Sequence, residues 1–451
     1  MKKIIAIFAL FAISAGVMAG IDECFEKLWR ALLNNNESSF RKVWEKTNNA
    51  HRQKIATMRV CWNTNKHTLL HVACKNKMTE IVELLLYYGA DVNGECNPSC
   101  ETPLLLAVDN QYLEIFKTLL NNNANVNAIN TNGNSVIHLV CRVEDTSMLK
   151  ALLDHRPNVD AKDYNGQTAL HHVVTKNMVD HTQLLLSAGA SANIKNDEGV
   201  TPIFLTIYDN VLLNILLHHN SHLDYADSKG YTLLHHAIRN GRIDTMHILL
   251  ESGANVNVTN ASGSTPLHYA ASHHMCLRPP NRISREEAIS IENSETMQMV
   301  NSLIINGADV DIKNNKGKTP LHNASSFSSR EVIKLLLNNK ADINGVDLNG
   351  YTMLHCAILH KNIDGLVFLL DSNLFACYDK DFWGNVVKFT QESSNNDCLN
   401  ILLPYLKKID EAISALDDRF NALIGNLSAS EKYYVSALIV INQHSLKLKN
   451  K

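Results

Sequence analysis

The sequence predicts an all-α solenoid, in which helix-turn-helix repeats with extended turns are stacked and closed by helices at both ends. Three observations carry this reading. A Thr- or Ser-led motif recurs in one register: "HTLLH" (67–71), "ETPLL" (101–105), "NSVIH" (134–138), "QTALH" (167–171), "VTPIF" (200–204), "YTLLH" (231–235), "STPLH" (264–268), "KTPLH" (318–322) and "YTMLH" (351–355). The Thr/Ser positions 68, 102, 135, 168, 201, 232, 265, 319 and 352 are 34, 33, 33, 33, 31, 33, 54 and 33 residues apart, so one step carries about 21 extra residues and the others hold the period. Behind each motif, paired apolar positions recur four residues apart, as in Ile81-Val82 with Leu85-Leu86, Ile115-Phe116 with Leu119-Leu120 and Val332-Ile333 with Leu336-Leu337. That spacing makes one apolar face on a helix.

Each element follows from local chemistry. Residues 1–19 have a basic start, Lys2 and Lys3, an apolar run from Ile4 to Ala15, and small residues ending Val17-Met18-Ala19. This is the layout of a signal peptide cleaved after Ala19; the competing reading is an uncleaved anchor, and the run is short for a span. Residues 20–63 carry apolar residues at helical spacing and are expected to form an N-terminal helical cap, since a terminal repeat exposes an apolar face that needs a cover. Residues 64–378 hold nine repeats. In each, Thr or Ser caps the first helix, and Pro103, Pro202, Pro266 and Pro320 sit at the first helical position with φ already set. The second helix ends at Gly89, Asn123, Gly189, Asn220, Gly253, Gly307 or Asn373, residues that tolerate the left-handed C′ position. Arg156-Pro157 and Lys340 break that pattern. An insertion of about residues 276–295, with Pro279-Pro280, is expected to be a polar loop with a short helix from Ser284. Residues 379–406 read as a degenerate tenth repeat, in which "DFWGNVV" stands where repeat four has "DYNGQTA". Residues 407–451 space Ile409, Ile413, Leu416, Phe420 and Leu423 in a 4-3-4-3 pattern and add a capping box from Ser428 to Glu431. Two helices closing the array are expected there, the alternative being a coiled-coil contact with another chain.

The 33-residue period and the T-P-L-H-x-A core resemble the ankyrin repeat over about residues 64–378, with departures at Leu105 and Phe204, which replace the motif His. The resemblance implies a scaffold that binds proteins through its turns and first helices, with the motif His tied locally to the Thr. Together with the leader and the many asparagines, it is similar to exported ankyrin-repeat proteins of host-associated bacteria. A secreted effector acting on host proteins, or a periplasmic binding or structural protein, is the implied role. An enzyme with its chemistry in the insertion or the C-terminal helices is the less favoured alternative.

The remaining signals bound the chemistry. With 42 basic and 45 acidic side chains the formal net charge is −3, which argues against a general nucleic-acid binder. No segment after residue 19 is long and apolar enough to span a membrane. No phosphate-binding loop, HExxH, GxSxG or paired CxxC occurs, so no cofactor, metal or catalytic set is expected. The asparagine clusters are read as compositional bias. Cys96 and Cys100 share a loop and are either bridged or two free thiols. His71-x-x-Cys74 and His138-x-x-Cys141 have metal-like spacing, but each Cys falls where the repeat needs a small packing residue. His273, His274 and Cys276 border the insertion, and a metal site, a partner-contact loop and a plain variable insertion stay open there.

The partner is expected to be a protein. Its binding surface is expected on the concave face of turn tips and first helices, centred on repeats four to nine. The residues just before each Thr are expected to project without packing duties. These are Tyr164, Asn165 and Gln167; Ser228, Lys229 and Tyr231; Lys316 and Lys318; and Leu348, Asn349 and Tyr351. The tyrosines are the expected anchors, because they bury large area at low entropy cost.

Overall fold

The computed structural model describes residues 19–62, 65–95, 101–219, 221–272, 285–327, 330–372, 380–393, 395–408 and 411. The leader, Cys96 and Cys100, His273, His274 and Cys276, and the C-terminal pattern Ile409 to Leu423 with its capping box lie outside these residues. The chain divides into two compact lobes. The first runs to Ala237 and includes Asp244–Asn255; the second takes Ile238–Ile243 and the chain from Val256 onward. The first therefore holds repeats one to five and most of repeat six, and the second holds Ile238–Ile243 of repeat six and repeats seven to nine.

The first lobe opens with helices Ala19–Leu33, Glu37–Lys46 and Asn49–Thr57. Asn36 and Asn48 start the latter two by accepting the N–H of Ser39 and His51 at 2.9 and 2.8 Å. Leu28, Leu32, Phe40 and Ile55 are fully buried, and Trp44 meets Tyr88 of repeat one edge-on at 5.4 Å. The amide of Asn76 also donates to the Leu32 carbonyl at 2.6 Å. The end of the expected helical cap is instead extended, since Arg59–Trp62 pairs antiparallel with Asn65–Thr68. Repeats three, four and six close the same turn with a single bridge, Ile129 to Ser135, Lys162 to Thr168 and Ala226 to Thr232. The hairpin is the longer form of that bridge, favoured by the β-prone run Val60-Cys61-Trp62.

Within a repeat the sequence logic holds. In repeats one, three, four, seven and nine, the Thr or Ser hydroxyl takes the N–H of the motif His while the His ring returns to the cap backbone. Behind it, small residues such as Ala73, Ala107, Ala237, Ala270, Ala324 and Ala357 are fully buried, which lets adjacent layers approach closely. Second helices such as Thr79–Tyr87 and Leu113–Asn121 bury the residues whose spacing announced them, including Ile81, Leu85, Ile115 and Leu119. The first helix is followed by left-handed backbone in repeats one, two, four, six and nine, at Lys77, Gln111, Asn177, Gly241 and Lys361. The second ends at Gly89, Asn123, Arg156, Gly189, Gly253, Gly307 and Lys340, so Arg156 at φ 51° and Lys340 at φ 66° carry the strain that Gly avoids.

Asparagine abundance needs a correction, because much of it is structural. Asn130, Asn196, Asn260 and Asn314 each accept two backbone N–H groups from the turn that follows, as Asp163, Asp227 and Asp347 do in their repeats. A second series ties neighbouring repeats. In the first lobe Asn93, Asn127, Asp160, Asn193 and Asp224 accept the N–H of Asn125, Asn158, Ser191, His222 and Asn255 at 2.6–3.0 Å. In the second, Asn257 accepts from Asp309 and Asp311 from Asp342. A short amide or carboxylate is needed at each place, because a longer side chain overshoots the adjacent backbone.

Three further elements differ from expectation. Repeat five, two residues short, makes its first helix as a 3-10 turn, Pro202–Thr206; without a motif His the Thr201 hydroxyl is buried and has no hydrogen-bond partner among the described residues. The second helix of repeat seven, Arg285–Ile305, has 21 residues where most second helices have nine. The inserted helix is thus continuous with it and adds about 18 Å. The stretch read as a turn in the tenth repeat is helical, Lys380–Glu392, followed by helical residues 396–408. No helix among the described residues is long and apolar enough to cross a membrane.

Candidate protein-interaction surface

The motif histidines are built from two contacts. In repeats three, four, seven and eight, Nδ1 receives the N–H and lies 2.8–2.9 Å from the hydroxyl of its own Ser135, Thr168, Thr265 or Thr319. A backbone N–H pointing at Nδ1 leaves the ring proton on Nε2. That Nε2–H donates to the next repeat: His138 to the Gln167 carbonyl at 3.1 Å, His171 to Val200 at 3.1 Å, His268 to Lys318 at 2.9 Å and His322 to Tyr351 at 3.2 Å. Burial pushes the pKa of His138, His171, His268, His322 and His355 below the ordinary imidazole value. His268 is therefore a clamp between repeats. Cys74 and Cys141 are fully buried; burial raises both thiols, Cys141 to about 12. Among the described residues no group of three His, Cys, Asp or Glu side chains could hold a metal ion.

The clamp changes the standing of the residues just before each Thr. Gln167, Lys318 and Tyr351 supply the carbonyls that receive it, and none of the three is fully exposed. The expectation that Tyr231 and Tyr351 project without packing duties is corrected. Tyr231 is half-buried, 5.8 Å edge-on to His235 and 5.6 Å from His236. Tyr351 is half-buried, stacked on His355 at 5.6 Å and 4.9 Å from Phe389. Apolar ring surface has more to gain on the first helices than in water, so both tyrosines fold inward.

The remaining positions do reach solvent. In the first lobe Tyr164 is 72% exposed, yet one face of its ring covers Gly133 of the preceding turn, where an added Cβ would come within 2.6 Å. Asn165 is exposed, and its carbonyl receives the Asp197 N–H of the next turn at 3.1 Å. Ser228 and Lys229 are exposed at the tip of repeat six. In the second lobe Lys316, Leu348 and Asn349 are exposed, with Leu348 at 77%. The Leu348 N–H donates to the Lys316 carbonyl at 3.1 Å, which sets these two tips side by side.

Sequence reasoning missed two groups. His172 and His236 donate to the second carboxylate oxygen of Asp163 and Asp227 at 2.9 and 3.0 Å. Burial works to raise both carboxyls, but these contacts and the turn N–H groups outweigh it and hold them low. The doublets His171-His172 and His235-His236 were the available signal. The other group is Phe327, whose ring lies 4.5 Å from His360 across two repeats, and no local pattern announces it.

A family model described as "Ankyrin repeats (3 copies)" matches residues 28–130, 104–196, 176–260, 208–278 and 288–381. The chain is 26% identical over 193 residues to Ankyrin repeat protein OPG189 of Variola virus, an alignment covering 40% of this chain and 34% of that protein. It is 26% identical over 270 residues to SH3 and multiple ankyrin repeat domains protein 2 of Homo sapiens, covering 59% and 12%. It is 33% identical over 146 residues to Neurogenic locus notch homolog protein 1 of Homo sapiens, covering 32% and 5%. The likeness thus spans about a third or less of each relative. Since the matched segments cover most of the chain, and the Thr caps and His clamps fall in their register, this chain belongs to the ankyrin-repeat family.

Proposed function

We propose that this chain is an exported, non-enzymatic scaffold that holds protein partners on its turn tips and first-helix faces. The observation that carries the reading is the pair of large apolar side chains, Tyr164 and Leu348, held in solvent on turns whose backbone is fixed by Asx contacts. Turns this rigid present side chains at low entropic cost, and exposed apolar groups on rigid supports are the usual anchors of protein interfaces. Ankyrin repeats point to protein interaction, and the leader-like residues 1–19 support export. In this reading the chain is an effector acting on host proteins, and the periplasm is the competing destination.

The test is a cross-linking pull-down with the chain from Gly20, compared with a Tyr164→Ala, Leu348→Ala double variant of unchanged circular dichroism. Loss of the captured bands in the variant supports the reading, and identical bands refute the placement of the surface. Export has its own test: the intact mass of the secreted or periplasmic form is expected to begin at Gly20, and a membrane-bound chain retaining residues 1–19 would refute cleavage.

A further inference from the structure

We infer that the face built by repeats eight and nine is the docking surface for an acidic protein segment that also carries an apolar side chain. This rests on the scaffold reading above and names the chemistry of the partner. The basis is the contrast among the turn tips. In the first lobe the tip of repeat five exposes Asp197 and Glu198, so charge there is not of one sign. In the second lobe the three tips read "NASGS" (260–264), "NNKGK" (314–318) and "DLNGY" (347–351). Their acidic group is Asp347, which is only 5% exposed and faces inward, while Lys316 is exposed, Lys318 is half-exposed, and neither forms an ion pair among the described residues. Two cations are therefore presented to solvent without an ion-pair partner among the described residues, and a carboxylate-bearing partner would gain steering and specificity from them.

The apolar half of the site adjoins them. Leu348, the most exposed large aliphatic side chain among the described residues, sits on the tip whose N–H bonds to the Lys316 carbonyl. Toward the far end of the first helices, Phe327 is 44% exposed and packs on His360. Burial holds the His360 pKa low, and the charge of Lys318 acts in the same direction. A segment crossing both tips meets cation and apolar surface together. The exposed aliphatic Leu348 beside the two cations favours a peptide with an apolar side chain over a nucleic acid, which offers the lysines phosphates but gives Leu348 no comparable partner.

The experiment measures fluorescence anisotropy of short labelled peptides with the chain from Gly20. The probes are an Asp/Glu peptide bearing Leu and Phe, the same peptide with Lys for each acid, the acidic peptide with Ser for each apolar residue, and a single-stranded oligonucleotide. The acidic-apolar peptide is expected to bind best and to weaken between about 50 and about 300 mM salt. Lys316→Glu with Lys318→Glu is expected to weaken it about tenfold and Leu348→Ser about fivefold, while Lys150→Glu, on the exposed side of the second helix Ser147–Leu153 in the first lobe, changes it less than about twofold. Equal binding by the Lys peptide or the oligonucleotide, no binding by the acidic-apolar peptide, or indifference to the second-lobe variants overturns the inference. Peptide binding that survives those variants but is lost with Tyr164→Ala would leave the scaffold reading standing and remove only this site.

Discussion

Replacing His171 by Leu separates the work of one clamp from its dependence on acid. His171 is fully buried, receives the Thr168 N–H on Nδ1 at 3.1 Å and donates from Nε2 to the Val200 carbonyl at 3.1 Å. Leu105 already fills the equivalent place in repeat two and is fully buried, so the shape is tolerated. The variant loses a cap contact and leaves the Val200 carbonyl without its ring donor, together about 1–2 kcal/mol at neutral pH. Below that range protons enter. Burial holds the folded His171 pKa below its ordinary value of 6.5, so in acid the native ring stays neutral while the unfolded chain takes a proton. The stability it contributes is therefore complete above about pH 6.5 and declines below it. One unit lower, at about pH 5.5, each clamp that remains neutral has lost up to about 1.4 kcal/mol. Urea denaturation of both proteins near pH 7.5 and near pH 5.5 reads the difference. The parent is expected to be clearly less stable at the lower pH, and the gap to His171→Leu is expected to shrink by about 1 kcal/mol. A gap that stays constant, or a parent indifferent to pH, would refute the clamp as described.

The other predictions use the same kind of measurement. Tyr351→Ala strips a ring packed between His355 and Phe389; it is expected to lower stability by about 2 kcal/mol, and an unchanged melt would return Tyr351 to the role of a free anchor. Lys340→Gly relieves a left-handed backbone at φ 66° and is expected to raise stability by about 0.5–1 kcal/mol; a loss would mean that the lysine side chain matters more than its backbone. Gly166→Ala is expected to destabilise by about 1–2 kcal/mol or more, because φ is +68° and the new Cβ would lie 2.9 Å from the Asp197 backbone nitrogen. A neutral result there would show that the contact between the tips of repeats four and five yields freely.

Fold class, period and helix ends were legible in the chain because each is set within a few residues. Thr before Pro starts a helix, apolar pairs four apart make a face, and Gly or Asn accepts left-handed backbone, all without reference to a neighbour. The role of His268 was legible for the same reason, since Thr265 lies three residues away. What lies across repeats was not. The amide of Asn127 meets a backbone N–H 31 residues on, and Lys318 receives a ring proton from 50 residues back. No local pattern distinguishes those side chains from solvated ones, which is why asparagines read as bias turned out to be ties. Exposure was decided at the same level: Tyr231 and Tyr351 share a register with turn residues that project, but a first-helix histidine beside each, and Phe389 beside Tyr351, draw the rings inward. Likewise "DFWGNVV" matches the turn of repeat four in outline, but it lacks the Thr cap and folds as helix, with Trp383 buried. Local sequence sets which conformations are cheap; packing against the adjacent layer selects which side chains are left for a partner.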